Sequence, residues 1–166
     1  MFGARVRRPE LVAVGLPGLL AAMEQGQINT PRRVAAFLAT LSHESYHEYN
    51  IREIGDTRTY GGRGYIQLTG VYNYTEAGED LGVDLIADPD AAMSLQWSAR
   101  IAVWYWTVAR PRCNEYADTL QFGKICAAIG YPLGNGSEDT RRTDSFKSAL
   151  RYLTGAVPDG ITINRK

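Results

Sequence analysis

The spacing of apolar side chains along the chain predicts a mostly helical protein. A first helix is expected from about Pro9 to Gln25. The next begins cleanly, with Thr30 suited to the N-cap and Pro31 to the first helical position. Its apolar residues Val34, Phe37, Leu38 and Leu41 fall at i, i+3, i+4 and i+7, which predicts a single buried face. Glu44 flanks that face in the last turn, and His43 and His47 lie on roughly the opposite side. From Asn50 to Gly70 the helical period is lost. Gly55, Gly61, Gly62, Gly64 and Gly70 separate short β-prone pieces, Thr57–Tyr60 and Tyr65–Thr69, so a small β lobe is expected over about 50–70. Helix resumes from about Tyr72 to Leu81 and stops at Gly82. Asp88-Pro89-Asp90 opens a long helix to about Ala109, with Trp97, Ile101, Trp104 and Val108 toward the core. Further helices are expected near Asp118 to Ile129 and Ser137 to Thr154, the second ending at Gly155.

This pattern describes one domain over 1–166, helical with a small β lobe, an α+β arrangement dominated by α. A chain of 166 residues can bury a core without disulfide or metal staples. Residues 157–166 are short and polar and read as a tail or linker stub. The 18 basic and 18 acidic side chains cancel, leaving no strong field to gather nucleic acid or anionic lipid. No apolar run reaches the length needed to span a membrane. The basic start, Met1 to Arg8, lacks the apolar core of a signal peptide, because Glu10, Gly15 and Pro17 interrupt the apolar stretch beyond it. Cys113 and Cys126 could make one bridge, but two buried thiols in a protein folded in a reducing cytoplasm fit as well. A monomer made in the cytoplasm, with no nucleic-acid or membrane partner, is the expectation.

The candidate chemistry centres on Glu44, since a carboxylate at the edge of a packed helix is costly unless used or paired. Two readings compete. His43-Glu44-Ser45-Tyr46-His47 has the spacing of a zinc peptidase, two histidine ligands one turn apart and a glutamate base. These are the only two histidines in the chain, and a third ligand would have to be an acid with no recognisable spacing. No metal and no cofactor are therefore expected. A glycosidase instead needs one protonated carboxyl to donate to the leaving oxygen and one ionised carboxyl to activate water. Desolvation beside the apolar face raises the pKa of Glu44, which suits the acid. Its partner belongs in a more polar loop, where Glu53 fits and Glu48 and Asp56 are the alternatives.

A resemblance sharpens this reading. Phe37-Leu38-Ala39-Thr40-Leu41-Ser42-His43-Glu44, followed by Tyr60-Gly61-Gly62-Arg63-Gly64-Tyr65-Ile66-Gln67-Leu68-Thr69, resembles the family 19 glycoside hydrolases. These are the plant-type chitinases and their relatives among bacteriophage endolysins. The likeness continues through Tyr72-Asn73-Tyr74, Leu81 to Leu85, Asp88-Pro89 and Ala102 to Trp106, covering roughly residues 30 to 110. It implies a lysozyme-like fold with a cleft between the helical body and the β lobe. It also implies single-displacement inversion, with Glu44 as general acid and Glu53 as base. Thr69 matches the hydroxyl that holds the attacking water, completing the expected catalytic set of Glu44, Glu53 and Thr69. Gln67 and Asn73 match groups that bind the sugar, and Tyr72 matches a cleft aromatic. Arg100 falls where a basic cleft residue is found, and Arg141 or Arg142 supplies an arginine to the acids. Tyr60 and Arg63 complete the expected substrate-binding set, although Arg63 is also suited to bracing its loop.

Two departures stand out. The family's proline after Gly-Arg-Gly is Tyr65 here. Its Ile-Asn-Gly-Gly string is replaced by Ile129-Gly130-Tyr131-Pro132, leaving Asn135 as the substitute for a substrate-binding asparagine. The lack of a signal and the scarcity of cysteines favour a phage endolysin of the muramidase type. Such an enzyme cuts peptidoglycan between N-acetylmuramic acid and N-acetylglucosamine, acting on the wall after release from the host cytoplasm. Chitinase activity on chitin oligomers is the alternative.

Overall fold

Helix α2 (Pro31–Glu44) is the axis on which the protein is built. The computed structural model describes residues 6–130 and 136–165, so Tyr131, Pro132 and Asn135 lie outside the described residues. Thr30 caps α2 as expected, accepting a hydrogen bond from the Arg33 amide. The helix is buried more broadly than one stripe. Ala35, Ala36, Phe37, Ala39 and Leu41 are fully enclosed, whereas Val34 and Leu38 are only partly so. Small residues on the remaining faces permit this, because they let neighbouring helices approach. The buried hydroxyls stay satisfied within the helix, with Thr40 donating to the Ala36 carbonyl and Ser42 to that of Ala39.

Around α2 are α1 (Pro9–Gln25), α3 (Val71–Leu81), α4 (Ser98–Trp104), α5 (Cys113–Asp118), α6 (Phe122–Ala128) and α7 (Gly136–Thr154). Helix α7 packs along α2, and α1 against α4. Phe37 meets Trp106 edge to face at 5.1 Å, and Phe122 stacks on Phe146 at 4.5 Å, joining α2, α6 and α7 in one core. No helix among the described residues is long and apolar enough to cross a membrane.

The expected long helix from Asp88 to Ala109 is broken into three pieces. A 3-10 turn (Pro89–Met93) is closed by Ser94, whose extended backbone and side-chain bond to the Trp97 amide start a new helix. Helix α4 then widens into a π-helical turn, Tyr105–Ala109. The extra residue in that turn shifts the register. Ile101 and Trp104 reach the core as expected, but Trp106 replaces Val108, which is exposed. The expected helix from Asp118 to Ile129 is likewise two, α5 and α6, parted by Leu120 at φ 58°.

The expected β lobe contains no strand among the described residues. Two isolated antiparallel bridges, Arg52 with Arg63 and Arg63 with Leu68, hold a looped hairpin instead. Glycines and buried arginine bonds take the place of a ladder. Tyr65, in the family's proline position, is buried beneath α1 and opposite Gly15, where a Cβ would come within 2.2 Å of the Tyr65 hydroxyl. Gly15→Ala should therefore cost about 1–3 kcal/mol, read as a lower midpoint in urea unfolding.

The C-terminal residues do not trail away as a linker stub. Thr162 exchanges backbone bonds with Leu120 and Gly123, and Arg165 pairs with Asp139 at the start of α7.

Candidate active site

Glu44 is the last residue of α2 and its carboxyl faces α7, not open solvent. Arg142 donates from Nη1 to Glu44 Oε1 at 2.9 Å. Glu138, one turn before Arg142, accepts from Arg142 Nε at 3.1 Å and from Arg141 at 2.7 Å. His43 is enclosed against α7, its Nδ1 lying 3.0 Å from Glu138 and its Nε2 3.0 Å from Ser145. Burial pushes the Glu44 pKa above the ordinary glutamate range, and Arg142 only partly offsets it. Burial also works against charge on Glu138, but Arg141, His43 and Arg142 outweigh it and hold that carboxyl low. One acid of the pair is thus biased to keep its proton and the other to lose it.

Two expectations change here. His43 is not on an outer face, because α7 covers it. Helix α2 ends at Glu44, and Tyr46 and His47 come next in left-handed conformation at φ 53° and 64°. His47 is therefore not one helical turn beyond His43, and the zinc-peptidase spacing has no helix beneath it. The arginine beside the acid is Arg142. Arg141 instead braces Glu138 from an exposed position, which does not support its expected contact with substrate.

The second half of the site is the hairpin after α2. Its amide bonds, from Glu53 to the Gly62 carbonyl and from Gly64 to that of Ile51, fix where Glu53 emerges. The Glu53 side chain is 49% exposed, against 20% for Glu44. Arg58 lies 3.4 Å from it and binds Asp56 more closely at 2.6 Å. The Arg58 guanidinium holds the Asp56 carboxyl well below its usual range. Asp56 is thus committed to that ion pair. Glu48 is also committed, being 1% exposed and paired with Arg8. Of the three acids considered as partner to Glu44, Glu53 alone is both solvated and loosely held.

Gln67, Thr69 and Asn73 form a chain of bonds beside Glu53. Gln67, at φ 54°, donates to the carbonyls of Gly64 and Ile51. Thr69 donates to the Gln67 carbonyl at 2.8 Å, and Asn73 to the Thr69 carbonyl at 2.8 Å. Gly62 explains why a glycine stands here. A Cβ on it would meet Gln67 Oε1 at 2.9 Å and Glu53 Oε2 at 3.0 Å. Both atoms are ends of flexible chains, so Gly62→Ala should redirect them at little cost in folding. We expect at least about a tenfold loss of turnover with a melting temperature close to wild type.

Asn73 and exposed Tyr72 line a groove that continues past Trp104 to Arg110. Arg110 donates to the Tyr105 hydroxyl at 2.8 Å, and Tyr105 lies close enough to Glu44 to feel its charge. The groove thus links the Asn73 side of the site to the Glu44 side. Arg100 is further along, stacked on Trp97 and lining an adjacent hollow of about 670 Å³ with Asp80 and Trp104. Two residues expected at the substrate are structural. Arg63 is 3% exposed and binds Asp90, the Thr59 and Gly61 carbonyls and the Tyr74 hydroxyl. Tyr60 leans on Tyr74 at 5.3 Å and reaches the Ile86 carbonyl.

Sequence reasoning missed Glu138, Ser145 and Tyr105. The i,i+4 spacing of Glu138 and Arg142 signals a helical ion pair, but nothing in it shows that the pair faces Glu44.

Residues 45–124 match the glycoside hydrolase family 19 profile, described as chitinase class I. This stretch is a family 19 segment. An endochitinase of Arabidopsis thaliana is 38% identical over 138 residues, covering 73% of this chain and 45% of that protein. Chitinase 11 of Oryza sativa is 36% identical over 154 residues, covering 73% and 59%. An endochitinase of Avena sativa is 42% identical over 81 residues, covering 45% and 40%. The chain therefore spans about half the length of the curated relatives it matches. Chitinase C from Streptomyces griseus superposes with a TM-score of 0.78 at 24% identity, covering 97% of this chain and 78% of that one. A bacterial family 19 chitinase gives 0.77 at 22% identity, covering 95% and 99%. The mainly helical, lysozyme-like fold is that of the family 19 chitinases.

Proposed function

We propose that the chain hydrolyses β-1,4 bonds between N-acetylglucosamine units, chitin being the first substrate, by inversion at the anomeric carbon. The observation that carries this is the asymmetry of the two acids. Glu44 is desolvated, biased toward its protonated form and aimed by Arg142. Glu53 is solvated on a separate hairpin. Glu44 would protonate the leaving oxygen while Glu53 draws a proton from water on the opposite face of the sugar. Thr69 would hold that water, and Gln67, Asn73 and Tyr72 would bind the sugar. Arg100 would meet units further along the strand. The chitinases named above place chitin ahead of peptidoglycan, reversing the order expected from the sequence.

Peptidoglycan remains the second reading, because it presents the same β-1,4 linkage. The free, buried Cys113 and Cys126 favour it in one respect. Burial pushes their thiols up to about 12 and about 11, so both are inert and suit a protein made in a reducing compartment, as a phage endolysin is. Release to the wall at host lysis belongs to that reading.

Digestion of chitin oligomers followed by proton NMR is the test. Inversion of a β-linked substrate gives α-anomers in the first products, and initial β-anomers would sink the mechanism. Mass spectrometry of digested bacterial walls assigns the second substrate, since a muramidase leaves muramic acid at the new reducing ends. Turnover should survive EDTA. Glu53→Gln should lower it by about 10²–10⁴-fold, and near-wild-type turnover would remove Glu53 as the base.

A further inference from the structure

The wall behind Glu44 is closed by the C-terminal residues. Thr162 donates its amide to the Leu120 carbonyl at 3.0 Å and accepts from the Gly123 amide at 3.0 Å. Gly123 has no side chain to spare, since a Cβ there would lie 2.3 Å from the Ile163 backbone. The strap delivers Arg165 to Asp139, and both side chains are largely buried. Asp139 is in the first turn of α7, next to Glu138 and three residues before Arg142. The buried Cys126 sulfur of α6 sits among all these charges. Its thiol is raised first by burial, and Arg142, Arg165, Asp139 and Glu44 each act on it. The Arg165–Asp139 and Arg142–Glu44 pairs are therefore neighbours around one side chain.

We infer that Arg165, acting through Asp139, is a positioning residue for Glu44. Asp139 and Glu44 lie on the same side of α7 as Arg142, at helical spacing for Asp139 and across the helix interface for Glu44. With Arg165 in place, Asp139 has its own cation and Arg142 is left to aim Glu44. Without Arg165, the Asp139 carboxylate is an uncompensated buried charge that competes for Arg142. The other groups facing Glu44 stay as they are: Glu138 on α7, His43 on its own helix, Tyr105 with Arg110 behind it, and Cys126. The charge balance around Glu44 is then decided by the strap.

The inference uses the assignment of Glu44 as acid only for its kinetic arm, so it is tested first without turnover. The Glu44 carboxyl can be titrated by NMR in protein carrying carbon-13 glutamate, with Glu44→Gln identifying its signal. Arg165→Ala should move the Glu44 titration to higher pH, because Arg142 is shared with Asp139. Asp139→Asn should move it to lower pH, because Arg165 then acts without a counter-charge. The double variant should return toward wild type, and Arg165→Lys should stay near it. Shifts of the same sign in both single variants would mark a merely structural strap and overturn the inference, as would an unmoved Glu44. If Arg165→Ala does not fold, the downward shift in Asp139→Asn decides alone. In the kinetic arm, Arg165→Ala should lower kcat about tenfold with KM changed less than about twofold, and the double variant should recover most of it. Loss of all turnover in wild type would refute the proposed reaction and leave the NMR result standing.

Discussion

Glu44→Gln should lower kcat by about 10²–10⁴-fold while leaving the fold intact and KM little changed. The amide is close in size to the carboxyl and its oxygen can still accept from Arg142, so the packing at the end of α2 has no reason to shift. What is lost is the proton. Because burial raises the Glu44 pKa, wild-type kcat should fall on the alkaline side as pH rises through that raised value, and this limb should be missing in the variant's residual activity. The stability consequence has a definite sign. The folded state holds this proton more tightly than the unfolded chain does. The stabilisation is full below the ordinary value of 4.5 and is lost as pH rises through the raised value. Glu44→Gln should therefore melt at or above wild type near neutral pH, with the difference shrinking in acid. Melting temperature against pH reads the second effect and initial rates read the first. A variant keeping a tenth of wild-type turnover would remove Glu44 from the acid role.

The largest loss of stability is expected at Arg63. Its guanidinium replaces the ladder that the 50–70 segment lacks, tying Thr59, Gly61, Tyr74 and Asp90 into one buried junction. Arg63→Met fills much of the same space but strands two carbonyls and a tyrosine hydroxyl. We expect it to cost about 3–5 kcal/mol, measured by urea unfolding. Arg63→Lys should recover less than half, because a single ammonium cannot reach all four partners from one point. Turnover should fall with stability in both, since the hairpin that carries Glu53 and Gln67 is anchored there. An Arg63→Met protein with wild-type stability would show that the glycine turns alone hold this loop.

Legibility along the chain tracked the range of the forces involved. Helix α1, the Thr30 cap of α2, the stop of α3 at Gly82 and the end of α7 before Gly155 were plain, because each depends on a local rule of capping or backbone freedom. The breaks at Ser94 and in the π-helical turn were not, because an unbroken apolar spacing from Trp97 to Val108 fits a straight helix equally well. The decision lies in the fit of Trp106 against Phe37, a tertiary contact. The β lobe was read from glycine spacing, which marks turns but not whether strands lie between them. At the site, Glu44 stood out from its helix position and from the glycine-rich string downstream of it. Its environment was hidden, because Arg142, Glu138 and Ser145 come from a helix about a hundred residues away. Arg63 and Tyr60 fall in the same short motif as Gln67, yet they hold the loop while Gln67 packs beside Glu53. Sequence proximity alone does not separate those duties.

The π-helical turn Tyr105–Ala109 also bears on how this chain can change in length. Deleting one residue there would let the segment relax to a regular α-helix, and everything after it would swing by about 100° about the helix axis. Arg110 would leave Tyr105, and the start of α5 would no longer be aimed at α2. The same deletion in the exposed turn near Asp159 would disturb far less. Among natural relatives, gaps should therefore avoid 105–109 even though its sequence, Tyr-Trp-Thr-Val-Ala, looks like ordinary helix.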